Sequence, residues 1–315
     1  MLRVVAFRLL QAAPVLVLVA VLAFLLMHLL PGDPAVVIAG ADAGEAAIVR
    51  IRTELGLDRP VWEQLGAWLG HLASGNFGRS LVLNQSVLSA VGERLPVTLS
   101  LAGLSLAITL PVGVVLGVLA AYFRNSWIDA GVMALALLGV SVPSFWIAIL
   151  SVILFSVTLG WVPSAGYAPL GSAGLGAWAA SLVQPALVLG LFQIGFLARM
   201  TRSAMLDVLD QDYIRTARMK GLGEWRTVAK HAFRNALIPV ATAAGIILSL
   251  LIGGSVVIEQ VFALPGIGRL VVQGIIARDY PLIQGTMLLF GFGFVLINVL
   301  IDVVYMLVDP RVHYD

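Results

Sequence analysis

Six apolar stretches dominate this chain, at about residues 9–30, 97–123, 130–158, 182–197, 236–258 and 283–304. A bilayer core of about 30 Å takes roughly 20 apolar residues in a helix rising 1.5 Å per residue, and stretches of this order meet that requirement. The fourth is the shortest; it starts beside Pro185 and carries Gln193 and Gly195. Composition points the same way. Of the 315 residues 60% are apolar and 11% charged, whereas a soluble domain carries about 25% charged residues to wet its surface. The expectation is an all-α, polytopic membrane protein with six transmembrane helices.

The N-terminus imitates a secretory signal, with Arg3 and Arg8 ahead of an apolar run. That run is about 22 residues, against roughly 7–15 for a signal core, and it ends in Leu-Pro-Gly-Asp-Pro and not in a small-residue cleavage site. It reads as a retained first span. Six spans put both ends on one side. With the N-terminus inside, that side holds twelve of the nineteen Lys and Arg residues and the other side seven, five of them in the loop 31–96. Loops longer than about 60 residues translocate largely regardless of charge, so that loop is discounted and the balance favours both termini in the cytoplasm of a bacterial inner membrane.

Two segments follow: residues 1–96, a span plus an outer loop, and residues 97–315, a five-span core that contains a cytoplasmic loop at 199–235. The outer loop holds Trp62, Trp68 and Phe77 among alternating charges and reads as one or two short amphipathic helices, either a lid over the helix ends or a docking surface. Pro111, Pro143 and Pro185 are candidates for kinks within spans.

The loop 199–235 has eight of the nineteen basic residues and both lysines, Lys220 and Lys230. Asp212 reads as an N-cap, and Gly221 and Gly223 as a stop before Glu224 opens another helix. Within the first helix Ile214, Ala217 and the stem of Arg218 fall at i, i+3, i+4 and form a small contact face. Such a basic, membrane-pinned segment suits anionic lipid or a cytoplasmic protein partner, and belongs to no nucleic-acid recognition module. Composition does not separate lipid from protein.

Arg215-Thr-Ala217 followed by Gly221 resembles a degenerate form of the E-A-A-x-x-x-G loop of ABC importer permeases. Arg215 stands for the acidic residue and Thr216 for the first alanine, and the Leu-Pro that ends the general motif is displaced to Pro239. Other segments extend the likeness along nearly the whole chain. Leu30-Pro-Gly-Asp-Pro34, Leu55-Gly-Leu-Asp-Arg-Pro60, Asn76-Phe-Gly-Arg-Ser80, Arg94-Leu-Pro-Val-Thr98 and Ser141-Val-Pro-Ser-Phe-Trp146 are similar to the dipeptide/oligopeptide/nickel permeases. So are Glu259-Gln-Val-Phe-Ala-Leu-Pro-Gly-Ile-Gly268, Arg278-Asp-Tyr-Pro-Leu-Ile-Gln284 and the closing Asp309-Pro-Arg311. The chain looks like the member of the permease pair with the longer first outer loop.

The resemblance implies a type I ABC importer permease. Its partners would be a homologous second permease subunit, two cytoplasmic ATPase subunits, a periplasmic or lipid-anchored binding protein, and membrane lipids. It also implies a coupling segment made of Asp212, Tyr213, Arg215, Thr216, Ala217, Lys220 and Gly221. Where the fifth span reaches the outer face, the residues themselves read either as a turn-rich loop capped by a carboxylate or as an outer gate around Glu259, Phe262, Pro265, Gly266, Gly268, Arg278 and Asp279. In that gate Glu259, Arg278 and Asp279 would pair with one another or face a peptide's termini. Peptides are the default cargo, with nickel complexes, glutathione and oligosaccharides as alternatives.

The chain's own residues agree with a division of labour. A P-loop needs Gly-Lys-Ser/Thr, but Lys220 follows Met219 and Lys230 follows Ala229. Any ATP and Mg would therefore be bound by partner subunits, with no cofactor, catalytic residue or metal site in this chain. The four histidines, at 28, 71, 231 and 313, are widely separated and have no cysteine beside them. The ionisable groups expected at or near membrane depth are Asp302, His28 and Arg199, with Asp302 pairing to Arg3 or Arg8. A stand-alone secondary transporter is the rival reading, but it would place polar ligands at mid-membrane, where these spans are nearly uncharged.

Overall fold

The computed structural model describes residues 2–29, 34–39, 43–54 and 56–308. The expectations placed on the side chains of Arg3, Arg8, His28 and Asp302, and on 309–311, lie outside the described residues and side chains. Along the chain run α1 (Leu2–Leu29), α2 (Pro34–Ala39), α3 (Glu45–Glu54), α4 (Val61–Ala73), α5 (Val87–Tyr122), α6 (Trp127–Ser141) and α7 (Ser144–Ser151). A π-helical segment, Val152–Thr158, continues α7. Then come α8 (Leu170–Leu209), α9 (Asp212–Met219), α10 (Glu224–Arg226), a second π-helical segment (Thr227–Ala232), α11 (Phe233–Val261), α12 (Ile267–Ala277) and α13 (Tyr280–Val308). Among the described residues every regular element is helical, apart from one isolated bridge between Arg79 and Ser86.

Within α5, α8, α11 and α13, the segments Val87–Tyr122, Leu170–Leu209, Phe233–Val261 and Tyr280–Val299 are each long and apolar enough to cross a membrane. A bent pair, Trp127–Gly139 with Ser144–Thr158, is long and apolar enough only when its two limbs are taken together. The expected first span corresponds to α1, 28 residues long, whose described side chains include the apolar run Leu10–Leu25. The third expected span is not one rod. It turns by 101° at Val142-Pro143, because proline cannot donate to the preceding turn and biases the residue before it toward extended backbone. Val142 has φ −100° and ψ 127°, as that bias requires. Pro185 lies inside the continuous α8; the break in that helix is at Gly174, with φ 79°.

The chain divides into two compact units. The first comprises Met1–Pro96 with Gly266–Leu296. Its core gathers Val87, Ala90 and Val91 with Ile267, Leu270 and Leu282, and Phe77 packs against them. The outer loop forms three helices, α2 to α4, where one or two were expected; the extra one, α2, is six residues long and opens on Pro34. Proline suits the first helical position, since its missing N–H has no partner to lose there. Trp68 of α4 packs on Phe24 of α1 with ring centroids 5.7 Å apart.

The second unit comprises Val97–Pro265 with Ile297–Asp315. Here α8 is the central helix: it packs on α11, α6 and α7. Of its apolar window 61% is buried, against 33% for α5 and 35% for α11. That placement explains its lower hydropathy, 1.7 against 2.3 for those two neighbours. A helix that faces protein tolerates polar side chains that a lipid-facing one does not, and Gln184, Gln193 and Thr201 are all buried on α8.

Candidate functional site

The segment between α8 and α11 is built around α9, eight residues long. Its cap residue is Gln211, and Asp212 is the first helical residue, where a carboxylate still opposes the helix dipole; the N-cap role expected of Asp212 does not hold. Gly221 ends the helix in the left-handed region, at φ +81°. Gly221 N–H donates to Arg218 O at 2.9 Å and Leu222 N–H to Ala217 O at 3.3 Å, the paired bonds that satisfy the last carbonyls of a helix.

The face formed by Ile214 and Ala217 turns inward. Ile214 is fully buried, in a cluster with Ala121 of α5, Ala204 and Met205 of α8, and Val228, Ala232 and Ala236. Arg218 does not join that face; its guanidinium donates twice to Glu224, the shorter bond being 2.6 Å. That hydrogen bonding holds Arg218 above its ordinary pKa, so it stays charged. Tyr213 Oη accepts from Asn235 Nδ2 at 2.6 Å, which ties α9 to the start of α11. Thr216 donates back to Asp212 O, and Arg215 lies 3.6 Å from the Asp212 carboxylate in a solvent-exposed pair. Asp212, Arg215, Thr216, Met219, Lys220 and Gly221 are all exposed. The helix is thus braced from behind by its own chain and presents a largely polar face on which Tyr213 and Met219, the latter 81% exposed, are the large hydrophobic side chains.

The residues expected at an outer gate separate into different tasks. Glu259 is buried in α11 and accepts from Thr98 Oγ1 at 2.7 Å. Phe262 is buried just past the end of α11, while Pro265 is exposed; Gly266 caps α12, and Gly268 lies buried in its first turn. Asp279 is buried and accepts from Ser80 Oγ, from Val82 N–H at 3.1 Å and from Leu282 N–H at 3.1 Å, so it anchors the 80–83 turn and caps α13. Arg278 is exposed and terminates α12 in the left-handed region, at φ 54°. Each of the two buried carboxylates has a hydroxyl donor within its own unit, Thr98 for Glu259 and Ser80 for Asp279.

One constellation escaped the sequence reading. Asp129, 5% exposed in the first turn of α6, receives Arg202 of α8 through two bonds, Nε to Oδ1 at 2.5 Å and Nη2 to Oδ2 at 2.7 Å. Asn125 N–H adds a third, at 3.0 Å. Arg199, which the sequence reading did consider, is exposed. The available signal was Ser126-Trp-Ile-Asp129, the spacing of a helix-opening box: Ser126 does cap α6, accepting from the N–H groups of Ile128 and Asp129.

Long apolar helices that carry exposed Leu, Val and Phe side chains, with a short braced helix between α8 and α11, mark a membrane protein. The comparisons agree. Residues 113–314 match the binding-protein-dependent transport system inner membrane component family, and residues 1–102 match the N-terminal family of the same membrane components. The chain belongs to this family. It is 65% identical over 308 residues, 98% of each chain, to the "Putative peptide transport system permease protein" of Brucella suis biovar 1 (strain 1330). It is 43% identical over 314 residues, 100% of each chain, to the glutathione transport system permease protein GsiC of Salmonella choleraesuis (strain SC-B67). Among solved structures it resembles a chain of the MetNI methionine ABC transporter in an inward-facing conformation, with a TM-score of 0.59 and 23% identity over 70% of this chain and 97% of that one. The fold is that of the type I importer permeases, and the family is one of transport permeases and not of enzymes.

Proposed function

We propose that this chain forms half of the translocation path of an ATP-driven importer of di- and oligopeptides, and that partner ATPase subunits grip it at Asp212–Gly221. The observation that carries the reading is the geometry of α9. Ile214 is fixed in the chain's own core while Asp212, Arg215, Thr216, Met219 and Lys220 face outward. A helix anchored on one side and open on the other passes force from whatever seats on it to the helices behind. Two ATPase subunits closing on ATP would displace α9 and, through it, α8 and α11; each nucleotide state then favours one of two arrangements of the spans. The second permease half is a homologous chain, cargo arrives on an external binding protein, and both termini lie in the cytoplasm. Peptide cargo rests on the names of the relatives, which carry peptides and, as a modified tripeptide, glutathione.

The test is to purify the chain with its partner permease from a membrane and ask whether ATPase subunits co-elute. The reconstituted set is then given a labelled dipeptide, with and without ATP and binding protein. ATP-dependent uptake that needs every component supports the reading. Uptake by the chain alone on an ion gradient would end it.

A further inference from the structure

Asp129 and Arg202 join the first turn of α6 to α8 about two turns before its end, through a two-pronged ion pair in which Asp129 is buried and Arg202 is partly exposed. Such a pair is a poor source of stability, because the cost of desolvating two charges offsets their attraction, and apolar side chains of similar volume often do as well or better. The pair does supply geometry. A planar guanidinium bonded through two nitrogens to one carboxylate fixes orientation as well as distance, so the start of α6 neither rotates nor slides against α8.

Its neighbours say what that rigidity serves. The same end of α8 carries Ala204 and Met205, which pack with Ile214 of α9. It also carries Asp210, 3.6 Å from Arg124 in the turn between α5 and α6. Tyr122, at the end of α5, meets Trp225 of α10 edge to face, with centroids 6.4 Å apart. The α5–α6 turn is therefore tied to the helix ends that brace α9, and α6 runs from that turn into the 101° bend before α7. We propose that Asp129 and Arg202 are the transmission link of this permease: the pair makes α6, and with it the bent α6–α7 pair, follow α8 when α9 is displaced. The inference rests on the proposed role of α9. Both side chains act as positioning residues; neither needs to meet cargo.

The experiment compares transport per ATP hydrolysed in proteoliposomes holding the complete importer, with wild-type chain, Asp129→Asn, Arg202→Lys, and the apolar double variant Asp129→Leu/Arg202→Met. Asp129→Asn is expected to keep ATPase activity within about twofold while transport per ATP falls about tenfold, the scale on which positions along a coupling network act. Arg202→Lys keeps the charge without the fork and is expected to fall in between. The double variant separates transmission from stability: it removes the pair without leaving a buried unpaired charge. If it assembles normally and still couples poorly, the link is supported. If it, or an assembled Asp129→Asn, transports with full coupling, the pair is only structural and the inference is overturned. A wild-type chain that never recruits ATPase subunits would sink the proposed function and this inference together, an outcome distinct from normal coupling in the variants.

Discussion

Gly117 of α5 lies so close to Thr201 of α8 that a Cβ at that glycine would stand 2.5 Å from the Thr201 Cβ and 2.6 Å from Ala198 O. One turn earlier, a Cβ on Gly113 would meet the Leu197 Cβ at 2.9 Å. Lipid offers helices no hydrophobic drive to associate, so contact is gained by close backbone approach, and small residues permit it. Gly117→Leu is expected to lower the thermal midpoint and membrane yield sharply, at a cost of about 1–3 kcal/mol or more. Gly103→Ala, on the same helix with nothing within 4 Å of the added atom, is the control and is expected to be neutral or slightly stabilising. Adding Thr201→Gly to Gly117→Ala should recover only part of the loss, because Ala198 O is main chain and does not retreat.

Gly221 separates a backbone requirement from a docking requirement. Its φ of +81° penalises most side chains, yet a Cβ there meets nothing within 4 Å. Asn tolerates the left-handed region better than other non-glycine residues, so Gly221→Asn is expected to fold and to transport near the wild-type rate. Gly221→Trp is expected to insert normally, with any strain of about 1–2 kcal/mol confined to the loop. It should nevertheless lose most transport and most co-elution of the ATPase subunits. Equal, near-normal uptake by both variants would remove Gly221 from the interface.

The all-helical class was legible in hydropathy because lipid exposure demands long apolar runs, and α5, α11 and α13 meet that demand plainly. The fourth span looked weak for a physical reason: α8 is wrapped by other helices, so its 40 residues include polar groups that lipid would reject. The loop 199–235 was legible as a glycine-broken helical segment; which side of α9 faces its own chain was not, since Ile214 and Ala217 would suit a partner's cleft as well as this chain's core. The Asp129–Arg202 pair was hidden because its members lie 73 positions apart and each sits beside a helix end, where an isolated charge is unremarked.

Arg278 illustrates the same limit, and its substitution distinguishes helix termination from a gate. Arg278 N–H donates to Ile275 O at 3.2 Å and Asp279 N–H to Gly274 O at 2.9 Å, so Arg278 occupies the position where helices favour glycine. Holding an L side chain there costs about 1 kcal/mol, and Arg278→Gly is expected to raise the thermal midpoint while leaving transport intact. A stable variant that no longer transports would return the guanidinium to the gate.

Asp279 is where removal should hurt the first unit most. Its carboxylate serves three donors: the Ser80 hydroxyl, the Val82 amide in the 80–83 turn, and the Leu282 amide in the first turn of α13. Loss of the cap alone costs about 1 kcal/mol, and leaving the other buried donors unpaired costs about 1–3 kcal/mol more. Asp279→Ala is therefore expected to destabilise by about 2–4 kcal/mol. Hydrogen exchange should locate the damage, with the Val82 and Leu282 amides exchanging faster while amides in the middle of α8 keep their protection. Asp279→Asn can still accept at the cap through its carbonyl, but its amide group donates where Val82 also donates, so it should fall between Ala and wild type. Ser80→Ala leaves the Val82 and Leu282 amides on Asp279 and frees only the Leu83 amide, which donates to Ser80 Oγ at 2.9 Å, so it is expected to be milder than Asp279→Ala. If all three variants exchange alike, Asp279 does not organise this unit.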